Sequence, residues 1–172
     1  MTWIAMALLL LAAALAQSLF PPVAWLGHVK WPWLLSVTLY YAMRRERKTL
    51  LVAAMAGGLL QDALCHSPLG FSPLLFLAVG WPASACKSLV MTETAPTAAA
   101  FGSILTGVFV LVGGLWLHVT GAASVSAAGW LGKALGSALL GAVCTPSICS
   151  AAGSLDMLLG NIKRKDDIHG AY

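Results

Sequence analysis

The chain has 172 residues, 59% of them hydrophobic and only 9% charged, with a mean hydropathy of +0.85. Soluble domains carry roughly 25% charged residues, so this composition excludes a soluble globular domain, whether alone or appended. A net charge of +4 and a pI near 9.0 invite a nucleic-acid partner, but the charges sit in two knots, Arg44-Arg45-Glu46-Arg47-Lys48 and Lys163-Arg164-Lys165-Asp166-Asp167. Each knot flanks a hydrophobic segment, which is how membrane topology is encoded. No nucleic acid is expected; anionic membrane lipids are the partner such knots suit.

Backbone polar groups facing lipid must be satisfied internally, which leaves helices or a closed barrel. Barrel strands alternate apolar and polar residues, whereas Ile4 to Ala16 is apolar on every face. The expected fold is an all-α polytopic membrane protein. Residues 1–160 should form one transmembrane helical bundle, with 161–172 as a short cytoplasmic tail.

The first span is expected from Trp3 to Phe20, closed by Pro21-Pro22. Ala14-Leu15-Ala16 resembles a signal-peptide cleavage site, but Met1-Thr2 offers no basic residue and further spans follow, which favours a retained helix. The second span, Trp31 to Met43, is short: thirteen residues reach only about 20 Å. Trp25, Trp31 and Trp33 suggest an aromatic belt beside it. The third runs from Thr49 to Cys65, and the fourth from Phe71 to Val90 with Pro82 as a kink. The fifth covers Ala98 to His118 and the sixth Trp130 to Leu159.

Six spans with an inside amino terminus put Arg44, Arg45, Arg47, Lys48, Lys87, Lys163, Arg164 and Lys165 inside, leaving Lys30 and Lys133 outside. Both termini are then cytoplasmic. Small residues recur every four positions at Ala98/Gly102/Thr106, Gly132/Gly136 and Ser137/Gly141/Thr145. This spacing lets helix backbones approach closely, making Gly102, Gly132, Gly136 and Gly141 helix-packing candidates.

Polar residues are few, and Asp62 is the most informative. It follows Gly57-Gly58-Leu59-Leu60-Gln61, and the run closes with Pro68-Leu69-Gly70. An acid inside a span costs roughly 2.5–3.5 kcal/mol at the bilayer centre and marks a functional-site hypothesis. Gln61, His66, His118 and Lys133 are candidate partners. Alternatively, the carboxylate caps backbone N–H groups of the turn or of the next helix near Phe71. Asp156 is expected as an interfacial residue within reach of Lys163 or Arg164. Cys65, Cys86, Cys144 and Cys149 contain no CxxC and should behave as small buried hydrophobes. No HExxH, GxSxG or phosphate-cradling loop occurs, so neither an enzyme nor a cofactor is expected.

The length, the six spans, the basic first inside loop and the block Gly58-Leu59-Leu60-Gln61-Asp62-Ala63-Leu64 … Pro68-Leu69-Gly70 resemble the MreD family of rod shape-determining membrane proteins. The resemblance implies a non-catalytic component of the bacterial cell-elongation machinery in the cytoplasmic membrane. Its implied partners are MreC and, through the complex, MreB filaments, the RodA-type polymerase and its penicillin-binding transpeptidase. It also implies a fold similar to the S component of energy-coupling-factor transporters. A substrate-binding subunit of a small-molecule transporter is therefore the alternative, disfavoured by the shortage of polar lining. On the scaffold reading, Gln61, Asp62, Pro68, Leu69 and Gly70 fix the junction of spans three and four and shape a partner-binding surface.

Overall fold

The short second span is the centre of the molecule. A computed structural model describes residues 2–26, 28–65, 68–85, 95–121 and 127–158. Among them it has six α-helices: α1 (Thr2–Leu19), α2 (Trp33–Arg44), α3 (Arg47–Cys65), α4 (Phe71–Ala85), α5 (Ala95–Val119) and α6 (Ala127–Leu158). A 3-10 turn, Ala24–Leu26, leads into α2. Every residue from Leu34 to Met43 is buried, and every other helix touches α2. A helix enclosed on every face meets neither water nor lipid, and the hydroxyls of Ser36 and Thr38 turn back to the carbonyls of Pro32 and Leu34.

Length separates this helix from those around it. Twelve residues of α2 rise roughly 18 Å, against about 30 Å of hydrocarbon. Ahead of α2, Val23 and Val29 form an isolated antiparallel bridge. Among the described residues, four helices are long and apolar enough to cross a membrane, within Thr2–Leu19, Arg47–Cys65, Pro96–Trp116 and Gly129–Leu158. Phe71–Ala85 is apolar but shorter. The expected end of the fourth span, 86–90, lies outside the described residues, as do Lys87, Lys163, Arg164, Lys165 and the tail.

The outer helices each divide into a packed and an exposed stripe. On α1, Ala5, Met6, Leu9, Leu10, Ala13 and Gln17 are buried, while Ile4, Leu8, Leu11, Leu15 and Leu19 are exposed. The exposed stripe is apolar, as lipid requires and water does not, and the packed stripe is apolar but for Gln17. The core joins Leu34, Tyr40 and Tyr41 of α2 to Leu50, Ala53 and Ala54 of α3, Phe76 and Val79 of α4, and Ile148 and Ala152 of α6. Pro82 falls inside α4 as expected, and Pro146 falls inside α6.

Candidate functional site

At the α3–α4 junction the two helices meet almost backbone to backbone. A Cβ on Gly58 would run into the backbone nitrogen and Cα of Pro73, so glycine is required for this approach. The link between the helices turns at Gly70, whose φ of +97° is the left-handed backbone that glycine adopts freely. Asp62, one turn beyond Gly58, is 1% exposed. Its Oδ2 accepts the N–H of Gly70 at 2.8 Å and its Oδ1 accepts the N–H of Ser72 at 3.1 Å.

This arrangement accounts for the donors that open α4. The first N–H groups of a helix have no intrahelical acceptor. Gly70 and Ser72 give theirs to Asp62, Phe71 gives its own to the Pro68 carbonyl at 3.2 Å, and Pro73 has none to give. A negative group at a helix N-terminus is also favoured by the helix dipole. Of the two roles open to Asp62, the structure assigns the cap. None of Gln61, His118 and Lys133 is its partner, and His66 lies outside the described residues. Pro68 and Leu69 stand exposed at the tip of the turn, Leu69 at 81%.

Gln61 turns the other way and ties α3 to α1. Its Oε1 accepts the Gln17 amide at 2.8 Å, and its own amide donates to Cys65 Sγ at 3.3 Å. Gln17 is 6% exposed, and its own carbonyl oxygen has no partner. The Lys30 ammonium closes the same end, 3.4 Å from the Leu64 carbonyl and 3.8 Å from Cys65 Sγ. Gln61 and Lys30 also line a cleft of ≈ 180 Å³, together with Trp31, Phe76, Phe109 and Lys133. Gln17 could have been suspected from sequence as the single amide in an otherwise apolar span.

At the opposite end of α2 lies a cluster that sequence reasoning did not assemble. Asp156 is fully buried rather than interfacial. Its Oδ2 accepts the Tyr40 hydroxyl at 2.9 Å and the Arg45 guanidinium at 3.0 Å. The expected partners Lys163 and Arg164 lie outside the described residues; the described partners come from α2 and its end, against which α6 packs. One basic residue of the knot is thus a structural counter-ion, while Arg44, Arg47 and Lys48 are exposed. Arg47 lies 5.2 Å from the Trp81 ring centroid.

The packing glycines fall into three cases. Gly102 and Gly141 face one another across α5 and α6: a Cβ on Gly102 would meet the Thr145 side chain, and one on Gly141 would meet Thr106. Gly136 packs against Leu26 of the 3-10 turn, where a Cβ would lie 2.8 Å from the Leu26 carbonyl oxygen. Gly132, expected in a helix contact, has nothing within 4 Å of where its Cβ would be. It lies one turn nearer the start of α6 than the 3-10 turn reaches, so the four-residue spacing runs past its neighbour. Cys144 is buried as expected, whereas Cys65 and Cys149 are only half-buried and Cys86 lies outside the described residues.

Among curated proteins and among solved structures, no match to this chain is found. The family model described as rod shape-determining protein MreD matches residues 1–128, a stretch that takes in α1 to α5 and the whole α3–α4 junction. The capped junction and the apolar helix bundle around it therefore sit in a member of a known lineage: the chain belongs to the MreD family of rod shape-determining membrane proteins.

Proposed function

We propose that this protein is a non-catalytic scaffold of the bacterial cell-elongation machinery, binding MreC and helping to couple MreB filaments to the RodA-type polymerase and its penicillin-binding transpeptidase. It sits in the cytoplasmic membrane with both termini inside, as one bundle over residues 1–160 followed by a short tail. The observation that carries this reading is how Asp62 is used. Both carboxylate oxygens are taken by backbone N–H groups, so the acid builds a rigid turn rather than standing free for chemistry. That turn holds the apolar side chain of Leu69 out in the open. Leu69 on this fixed turn is the residue we assign to contact with the MreC helix.

The transporter alternative asks for an enclosed pocket with several convergent polar groups. Pockets for small molecules run to roughly 300–1,000 Å³, and the cleft beside Gln61 holds ≈ 180 Å³. As far as this cleft goes, the scaffold reading is the better supported. Co-purification of MreC tests it. Leu69→Asp should leave the bundle folded, because Leu69 is 81% exposed, while the yield of bound MreC falls several-fold and rod cells widen. Normal MreC recovery and normal cell width in that variant would sink the assignment of the junction.

A further inference from the structure

We propose that the cleft between α2, α4, α5 and α6 binds the phosphate of an anionic phospholipid, held between the ammonium groups of Lys30 and Lys133. Both lysines line this one cleft, although they are 103 positions apart in sequence. Among the described residues, neither ammonium faces a carboxylate. Lys30 approaches the Leu64 carbonyl and Cys65 Sγ, and Lys133 lies 5.1 Å from the Trp130 ring centroid. Two like charges brought to a shared concavity without a counter-ion raise the local concentration of anions.

Three further observations choose a lipid phosphate over other anions. The remaining wall is apolar, with Leu35, Phe76, Phe109 and Val110 suited to a glycerol backbone and the start of an acyl chain. The wall is continuous with an aromatic cluster: Trp31, itself part of it, stacks on Trp33 at 6.0 Å, and Phe20 packs 5.8 Å from Trp31. Such rings settle at the headgroup level of a bilayer, and lysines beside them extend their ammonium groups to the same level. The cleft is also small. At ≈ 180 Å³ it offers room for a phosphate and its ester neighbours.

The test is native mass spectrometry of the full chain, released from detergent doped with phosphatidylglycerol and phosphatidylcholine. The parent should retain phosphatidylglycerol selectively. Lysines near an anionic surface act additively, so Lys30→Gln with Lys133→Gln should weaken its binding about thirtyfold. Arg47→Gln with Lys48→Gln removes as much charge at the other end of α3, from a knot that itself suits anionic lipid, and should cost several-fold less retention than the Lys30/Lys133 pair. Inorganic phosphate at millimolar concentration should not displace the lipid. Equal retention by the parent and the Lys30/Lys133 variant would overturn the proposal, as would equal losses from both double variants. Displacement by inorganic phosphate would overturn it too, by showing a free-anion site. None of these readouts involves MreC, so this result and the scaffold assignment stand or fall separately.

Discussion

Replacing Asp62 by Ala should lower the thermal stability of the bundle by an amount the hydrogen bonds themselves set. The substitution strands two backbone donors, the N–H of Ser72 in the core and that of Gly70 at its edge. A buried donor left without an acceptor costs roughly 1–3 kcal/mol. Removing the carboxylate also relieves its own desolvation, so the net loss should be about 2–3 kcal/mol. In chains of this size each kcal/mol moves the melting temperature by about 2–4 °C, giving a fall of about 4–12 °C. Asp62→Asn keeps an acceptor oxygen for one of the two donors and should lose only about half as much. The assay is recovery of monodisperse protein by size-exclusion chromatography after heating in detergent, paired with hydrogen exchange over residues 70–74. Exchange there should speed up in the Ala variant before the rest of the bundle opens. An Ala variant melting within about 1 °C of the parent, or above it, would refute the cap as the reason for this acid.

The buried cluster at the other end of α2 should behave as a coupled unit. Arg45→Ala takes a guanidinium from a buried carboxylate that keeps the Tyr40 hydroxyl; losses of about 3–5 kcal/mol are usual for breaking a buried ion pair, and the retained hydroxyl and the 23% exposure of Arg45 bring the expectation down to about 2–3 kcal/mol. Arg45→Met combined with Asp156→Leu should recover more than half of that loss in thermal unfolding, and simple additivity would argue against the pairing. Gly102→Val should disrupt the α5–α6 crossing by about 3 kcal/mol or more because backbone and Thr145 have nowhere to go. The same change at Gly132 should be nearly neutral, and equal effects in a stability measurement would contradict the packing described.

How much of this was legible in the chain differs sharply between the apolar runs and the few polar residues. Helix limits read from hydropathy alone are close: Trp3 to Phe20 was expected and Thr2–Leu19 is found, and Thr49 to Cys65 became Arg47–Cys65. What hydropathy does not encode is direction. Leu8 and Leu9 are the same residue type, yet one faces outward and the other the core, because lipid and protein interior ask for similar side chains. The second span carries the same ambiguity. A run too short for the bilayer could be an irregular span or a helix sheathed by its neighbours, and only the fold decides for sheathing. Asp62 was readable because a Pro-Leu-Gly turn follows it within reach of its side chain. Asp156 was not, since Tyr40 and Arg45 lie more than a hundred residues away and no local pattern links them.

The tie between Arg45 and Asp156 spans 111 residues, and this has a consequence for how the ribosome and insertion machinery must deliver the chain. The cationic partner emerges first and its anionic mate more than a hundred residues later. Until α6 arrives, nascent α2 is too short to hold its place in the bilayer unaided and lacks the contact that anchors its end. Chains cut before Asp156 should therefore be cleared by quality-control proteases, and the arrival of α6 becomes the event that locks the centre in place.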